Sequence, residues 1–228
     1  MISKLFIAFA MLNKWIYNTE THTLPRGFTE LYHDDRVGLV KFDRQSCVVV
    51  HRGTDSIRDL FHDFESQIYQ TCSGEFLDIF EDSFKETTNI DHIIKEEKCK
   101  YLYYTGHSLG GITALISARL SKLDIPIKNI ITYGEPRGCC NTKIQNLNVL
   151  RIINHDDPIA ALPLSNGEIN HCTSSTLKLI DENGMWIEDS NYPTSAKINN
   201  LELHHIDSYI TSISKLKKIL DNKYIINK

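Results

Sequence analysis

A short β-prone run, YLYYT at positions 101–105, leads directly into the pentapeptide GHSLG at 106–110, and an apolar stretch, ITALISARL, follows one glycine later. The first run predicts a strand and the second a helix, which places Ser108 on a strand-to-helix turn. A serine on such a turn needs glycine two positions before and after it, because a Cβ there would collide with the neighbouring strand or helix. The G-x-S-x-G pattern alone arises by chance in roughly one chain of this length in ten to fifteen. The predicted strand before this pattern and the predicted helix after it are therefore what indicate that Ser108 is a nucleophile.

Strands and helices alternate along the rest of the chain. The predicted strands are 36–42, 46–51, 101–105, 127–133, 149–154, 176–180 and 185–188, and the predicted helices are 1–17, 57–64, 75–98, 110–123 and 203–224. The first two strands and the last two read as hairpins, the last around an Asn-Gly pair. This alternation predicts an α/β fold with helices on a mostly parallel sheet. No repeat or low-complexity linker divides the chain, so residues 1–228 are predicted to form one domain.

The charge balance excludes one class of function. The 25 Lys and Arg residues and the 29 Asp and Glu residues give a formal net charge of −4. Attraction to nucleic acid by charge is therefore not expected. The ten histidines show no H-E-x-x-H or similar ligand spacing, so we expect no metal and no cofactor.

The six cysteines bear on the compartment. They are Cys47, Cys72, Cys99, Cys139, Cys140 and Cys172, and no two form a C-x-x-C pair. At this low density we expect free thiols in a reducing compartment. The apolar stretch 5–12 is followed by Asn, Lys and Trp and not by a small-residue cleavage site, and no N-glycosylation sequon occurs. The sequence therefore favours a cytoplasmic protein over a secreted one.

A serine nucleophile needs an imidazole to take its proton and a carboxylate to orient that imidazole. On an open α/β sheet these follow the serine in the order acid, then histidine. Asp156 and Asp157 come directly after the predicted strand 149–154, at the edge of the sheet where such sites lie. Candidates for the base are His155, His171, His204 and His205.

Over residues 27–209 these features resemble the class 3 lipases, the fungal triacylglycerol lipase-like family of α/β-hydrolases. The elbow YTGHSLGGITALISA is similar to the family's TGHSLGG-type elbow. VVVHRGTDSIRDLFHDF, TYGEPR, RIINHDDPIAALP and LHHIDSY resemble its other motifs, in the same order. The resemblance implies an α/β-hydrolase fold with a mostly parallel central sheet flanked by helices.

The resemblance also implies roles for individual residues. Ser108 matches the nucleophile and Asp157 the acid, since Asp157 lies six positions before Pro163, with Asp156 as the alternative. His205 matches the base because Tyr209 follows four positions later, with His204 as the alternative. Thr54 and Leu109 match the residues whose backbone N–H groups form the oxyanion hole.

The chain departs from the family in three places. His51 stands where the family often has Phe. Residues 138–141 replace the usual V-G-N after the Pro-Arg pair. The segment 63–74 is several residues shorter than the fungal lid region and offers only Phe64, Ile68 and Tyr69 to cover an acyl chain, so little interfacial activation is expected.

The sequence and the resemblance together predict a serine esterase or lipase that hydrolyses carboxylic esters of lipids, acylglycerols first, through an acyl-enzyme. A phospholipase A-type enzyme and a short-chain esterase are the enzymatic alternatives, since the triad does not separate them. A catalytically silent binding protein is the alternative from another class. The basic segment 215–223 fits either transient contact with a membrane or lipid-droplet surface or a helix end capped by lysine. The expected partner is thus a lipid or small ester, and the oligomeric state is open.

Overall fold

The computed structural model describes residues 2–18, 20–21, 23–56, 76, 78–85, 90–140, 146–162, 169–170, 177–181, 183–187 and 198–226. A sheet of eight strands runs through this part of the chain. In spatial order its strands are β1 (Thr29–His33), β2 (Val37–Lys41), β3 (Ser46–His51), β4 (Tyr101–His107), β5 (Ile127–Tyr133), β7 (Val149–Asn154), β9 (Leu177–Ile180) and β10 (Trp186–Ile187). The strands β6 (Cys139–Cys140) and β8 (Ile169–Asn170) form a separate antiparallel pair.

The five central strands of the large sheet, from β3 to β9 in the spatial order, are parallel to one another. The strands β1 and β2 extend it antiparallel at one edge, and β10 does so at the other. Both predicted hairpins are confirmed, as is the mostly parallel sheet. The strand β1 was not predicted, because TELYH lacks a regular apolar alternation and its described side chains are exposed or half-buried.

Helices cover both faces of the sheet. They are α1 (Ile2–Tyr17), α2 (Asp78–Lys85), α3 (Asp91–Glu96), α4 (Leu109–Leu120) and α5 (Ile206–Ile226), with short 3₁₀ helices at Ile159–Ala161 and Ile198–His204. Alternate residues of β3 show the two layers: Cys47 and Val49 join the core with α2, α3 and α4, whereas Val48 and Val50 join the core with α1 and α5. The carboxyl ends of the parallel strands therefore lie between two packed layers of helices.

Two predicted helices differ from the structure. The stretch 75–98 contains α2 and α3 as separate helices. The predicted helix 203–224 is preceded by a 3₁₀ helix that ends at His204, and α5 begins only at Ile206. The predicted helix 57–64, the lid segment 63–74, Pro163 and His171 lie outside the described residues.

The N-terminal helix α1 is part of the core. Phe9 and Leu12 are fully buried, and Lys14 forms an ion pair with Asp207 of α5 at 2.7 Å. Near the other end of the chain, Ile213 of α5 belongs to the same core. None of the described helices is both long enough and apolar enough to cross a membrane.

A disulfide joins Cys47 of β3 to Cys99, two residues before β4. Cys139 is disulfide-bonded as well, and no described cysteine side chain is free. The expectation of free thiols is therefore wrong for these three residues. Spacing along the chain did not reveal the pair, because Cys47 and Cys99 are 52 positions apart in sequence. The parallel pairing of β3 with β4 brings them together.

Candidate active site

Ser108 lies on a sharp turn between β4 and α4. Its backbone has φ 58° and ψ −131°, a conformation that L-residues rarely adopt. A Cβ on Gly106 would lie 1.9 Å from the carbonyl oxygen of Gly110, and a Cβ on Gly110 would lie 2.3 Å from that of His51. The predicted need for glycine at both positions is confirmed. The turn is held by the core around it and presents Ser108 at the carboxyl edge of the sheet.

Asp157 follows β7 and is almost fully buried. Its Oδ2 lies 2.7 Å from Nδ1 of His204 and also accepts a hydrogen bond from the Tyr209 hydroxyl. Its Oδ1 accepts from the backbone N–H groups of Ile159, at 2.9 Å, and Ala160, at 3.4 Å. Four donors thus surround one carboxylate and fix its orientation.

The histidine beside this carboxylate is His204 and not His205. His204 is fully buried, whereas His205 is exposed. The assignment of His205 assumed that the base and Tyr209 share one helix, so that four residues would bring them together. The 3₁₀ helix instead ends at His204 and α5 begins at Ile206, so His205 occupies the turn between two helices and points outward.

Asp156, the alternative acid, does not reach this cluster. It lies 3.2 Å from the imidazole of His155, and both side chains are exposed. The preference for Asp157 over Asp156 therefore agrees with the geometry. His155 lies at the surface beside Asp156, whereas the histidine beside the buried Asp157 is His204.

Ser108 Oγ and His204 Nε2 are both buried, and neither has a hydrogen-bond partner among the described residues. With Nδ1–H of His204 donated to Asp157, its Nε2 carries a lone pair and can accept a proton. Burying such groups unpaired costs about 1–3 kcal/mol each. The arrangement is suited to a proton transfer from serine to histidine once a substrate is bound.

Gly134, which follows β5, is packed against the acid and the histidine. Its φ is 57°, and a Cβ there would lie 2.9 Å from Asp157 Oδ2, His204 Cε1 and the Tyr209 hydroxyl. Sequence reasoning identified the surrounding TYGEPR motif but gave this glycine no role. The signal was present, because a glycine directly after a β strand marks a sharp turn or a close approach.

Thr54 and Leu109 line one cavity, of about 470 Å³. Leu109 is the first residue of α4, where backbone N–H groups have no partner within the helix. Gly53, the residue before Thr54, is so close to the elbow that a Cβ on it would lie 3.2 Å from Ser108 Cβ. The structure therefore places both predicted oxyanion-hole residues at one cavity, and Gly53, which also lines it, approaches the serine.

A buried charged pair lies behind the elbow. Glu135 Oε1 is 3.4 Å from Arg151 Nε, and the hydroxyl of Thr132 donates to Glu135 Oε2 at 2.6 Å. Burial raises the pKa of Glu135, and the positive charge of Arg151 opposes this rise. A Cβ on Gly111 of α4 would lie 3.1 Å from Glu135 Cβ, so this pair packs directly against the start of the helix that follows the serine.

A serine on a strained strand-to-helix turn, at the carboxyl edge of a mostly parallel sheet and beside a buried histidine–aspartate pair, defines an α/β-hydrolase. Residues 48–167 match the family model of the lipases of class 3. The chain belongs to this family and is a carboxylic ester hydrolase. No curated protein matches the sequence.

Solved structures share the fold. The native lipase–propeptide complex of Rhizomucor miehei matches with a TM-score of 0.66 at 18% identity, over 85% of this chain and 76% of the lipase. The Lip2 lipase of Yarrowia lipolytica matches with a TM-score of 0.59 at 18% identity, over 85% and 82%. A triacylglycerol lipase of Penicillium expansum matches with a TM-score of 0.54 at 13% identity, over 87% of each chain.

Proposed function

We propose that this lipase hydrolyses acylglycerols through a triad of Ser108, His204 and Asp157. The observation that carries the proposal is the buried hydrogen bond between His204 Nδ1 and Asp157 Oδ2, at 2.7 Å. It leaves Nε2, the opposite ring nitrogen, as the atom that can take the proton of the serine, which is what activation of a serine requires. A binding protein without catalysis has no need for such an arrangement.

The reaction begins when Ser108 Oγ attacks the ester carbonyl carbon and His204 Nε2 takes the hydroxyl proton. The negative charge that develops on the carbonyl oxygen is stabilised by the backbone N–H groups of Thr54 and Leu109. The bond to the alcohol then breaks, and His204 returns the proton to the departing alkoxide. A water molecule attacks the acyl-enzyme by the same route, with His204 as base, and releases the carboxylic acid and free Ser108.

The cavity beside the oxyanion hole supports substrates with short acyl chains. Its described lining is polar or charged except for Leu109 and Gly53, and comprises Asp35, Arg36, Arg52, Thr54, Asp55 and Thr113. A methylene gains about 0.8 kcal/mol only where apolar surface removes it from water. Such a lining favours the polar glycerol part of a substrate and gives little to a long chain.

Hydrolysis rates on p-nitrophenyl butyrate, p-nitrophenyl palmitate, tributyrin and phosphatidylcholine test this proposal, with Ser108→Ala as the control. We expect butyrate and tributyrin to be preferred, activity to rise smoothly across the solubility limit of tributyrin, and Ser108→Ala to lose several orders of magnitude. A fluorophosphonate should label the wild type once, at Ser108. Preference for phosphatidylcholine would make the protein a phospholipase, and absence of both labelling and hydrolysis would make it a binding protein.

We also propose that the chain functions in an oxidising compartment, in place of the cytoplasm that the sequence favoured. The disulfides at Cys47–Cys99 and at Cys139 support this, because such bonds rarely persist in a reducing cytosol. Alkylation of the protein in intact source cells, followed by mass spectrometry, checks it. Alkylated Cys47 and Cys99 would contradict the proposal.

We further propose that residues 1–228 act as one catalytic domain without surface attachment through the segment 215–223. Support comes from α1 and α5, which pack in the same core from opposite ends of the chain. Among the side chains of this segment that the structure describes, Leu216 is buried and is therefore not available to a membrane surface. Sedimentation with anionic vesicles should therefore leave the protein in the supernatant.

A further inference from the structure

The residue before the nucleophile, His107, is buried and makes a hydrogen bond with each ring nitrogen. Its Nε2 lies 2.6 Å from the backbone carbonyl oxygen of His204, and its Nδ1 lies 2.7 Å from the hydroxyl of Tyr17. The two imidazoles of His107 and His204 are also close, with ring centroids 4.7 Å apart. His107 thus contacts both the backbone and the ring of the histidine that the proposed function makes the base.

The chemistry of these contacts allows one arrangement of protons. A carbonyl oxygen only accepts, so Nε2 of His107 must carry the hydrogen. Burial lowers the pKa of His107 well below its ordinary value, and the neighbouring His204 lowers it further, so the ring is neutral and Nδ1 is an acceptor. Burial raises the pKa of Tyr17, which keeps its hydroxyl protonated and able to donate.

Tyr17 comes from the end of α1, far from Ser108 in sequence, and its hydroxyl lies close to Gly53, the residue before Thr54. A Cβ on Gly53 would lie 2.5 Å from the Tyr17 hydroxyl and 2.5 Å from the carbonyl oxygen of His107. One helical turn earlier, Asn13 donates to the hydroxyl of Thr105 at 2.8 Å. Among the described residues, side-chain hydrogen bonds therefore join α1 to β4 one helical turn apart, and the bond from Tyr17 is the one that reaches His107.

We propose that His107 is a positioning residue that holds His204 through its backbone carbonyl, and that Tyr17, by donating to Nδ1, holds the His107 ring in place for this contact. Without the Tyr17 hydroxyl, Nδ1 of the buried His107 ring would lose its donor, and the ring would no longer be held against the His204 carbonyl. His204 sits at the end of a 3₁₀ helix just before a turn, so its carbonyl is where an outside donor can set its position. The inference rests on the proposed role of His204.

The direct test is spectroscopic. In wild-type protein labelled with ¹⁵N-histidine, the ring nitrogen shifts of His107 should show a protonated Nε2 and an unprotonated Nδ1 at neutral pH. The assignment is made by the loss of this signal pattern in His107→Gln. A protonated Nδ1 in the wild type would overturn the proposal whatever the activity of the protein.

The kinetic test compares Tyr17→Phe with Asn13→Leu, a matched control that removes a buried side-chain hydrogen bond between α1 and β4 that does not reach His107. On p-nitrophenyl butyrate we expect Tyr17→Phe to lower kcat about tenfold with KM little changed, because the base is misplaced while the binding cavity is intact. Asn13→Leu should lower thermal stability to a similar degree and leave kcat near the wild-type value. Equal kcat in the two variants would overturn the proposal.

A double-mutant cycle shows whether Tyr17 acts through His107. His107→Gln keeps an N–H that can reach the His204 carbonyl and has no second tautomer, so it should retain more kcat than His107→Leu. Adding Tyr17→Phe to His107→Gln should then cost much less than it does in the wild type. Additive losses would overturn the proposal. Activity retained in Ser108→Ala would instead contradict the proposed function. In that case the tautomer measurement still tests the His107 contacts, because it does not depend on activity.

Discussion

The imidazole Nδ1 of His204 lies 2.7 Å from Asp157 Oδ2, and both side chains are completely shielded from solvent. An imidazolium formed during the reaction would therefore face a fixed carboxylate with no water between them. In such surroundings the attraction between opposite charges is strong, and the Tyr209 hydroxyl and the Ile159 N–H share the carboxylate's remaining lone pairs. The pair is built to carry a transient positive charge on the histidine.

The choice between the two adjacent histidines is directly testable. We expect His204→Ala to abolish ester hydrolysis to the same degree as Ser108→Ala, since members of a triad act as a unit. His205→Ala should keep near wild-type kcat on p-nitrophenyl butyrate because its side chain is exposed. The reverse order of activities would return the base to His205.

The two adjacent aspartates form a second matched pair. Asp157→Asn should leave His204 in place with the wrong tautomer and lower kcat by about 10⁴-fold, the loss seen for the aspartate of the serine protease triad. Asp156→Asn removes only an exposed contact with His155 at 3.2 Å and should change kcat little. Similar kcat values in the two variants would rule out Asp157 as the residue that orients the base.

Alanine substitutions at Gly134 and Gly27 distinguish the effect of backbone strain from the effect of a Cβ that crowds the acid and the histidine. Both have positive φ, 57° and 91°, but a Cβ on Gly27 meets nothing within 4 Å, whereas one on Gly134 meets Asp157, His204 and Tyr209 at 2.9 Å. Both Gly→Ala variants should lose about 1 kcal/mol or more of stability from strain. Only Gly134→Ala should also lose most of its kcat, as measured on p-nitrophenyl butyrate. Full activity in Gly134→Ala would show that the acid and the base tolerate displacement.

The Cys47–Cys99 bond should be a main source of stability. Closing a loop of 52 positions stabilises a fold by about 4 kcal/mol in the chain-entropy treatment. Cys47→Ala combined with Cys99→Ala should lower the free energy of unfolding in urea by this order. Because Cys139 is also disulfide-bonded, the reduced wild type should be no more stable than the double variant. Unchanged unfolding of the double variant would show that the bond does not constrain the unfolded chain.

His51 should make stability depend on pH. Its two ring nitrogens have no partner among the described residues, and burial lowers its pKa from 6.5 to about 3. Between these values the unfolded chain binds a proton that the folded chain does not, so stability falls as pH falls, by about 1.4 kcal/mol per pH unit. At pH 7 both states are neutral at this residue and the effect is absent.

The substitution His51→Phe isolates this effect. It removes two buried nitrogens for which the described part of the chain offers no partner, so it should raise the free energy of unfolding at pH 7 by about 1–2 kcal/mol. The gain should be larger at pH 5, because the titration of His51 is lost. Urea unfolding of both proteins at the two pH values checks this. A gain that does not grow toward pH 5 would contradict the buried neutral state of His51.

The sequence by itself determined the parts of this protein that depend on local spacing. Gly106 and Gly110 predict the turn that carries Ser108, because their positions are set by steric contacts within a few residues. The hairpins and the parallel strands followed from apolar runs and turn residues in the same way. Asp156 and Asp157 were found because a residue directly after a strand end stays at that edge of the sheet, and the resemblance to the class 3 lipases favoured Asp157.

Only the tertiary structure decided the contacts between segments distant in the chain. His204 and His205 differ by one position, and the end of the 3₁₀ helix between β10 and α5 decides which of them turns inward. The Cys47–Cys99 bond requires β3 beside β4, and the contact of Tyr17 with His107 requires α1 to pack across the sheet. The contacts of His204 with Asp157, of Cys47 with Cys99 and of Tyr17 with His107 join residues 47, 52 and 90 positions apart. No local pattern encodes such contacts, because packing of the whole core sets them.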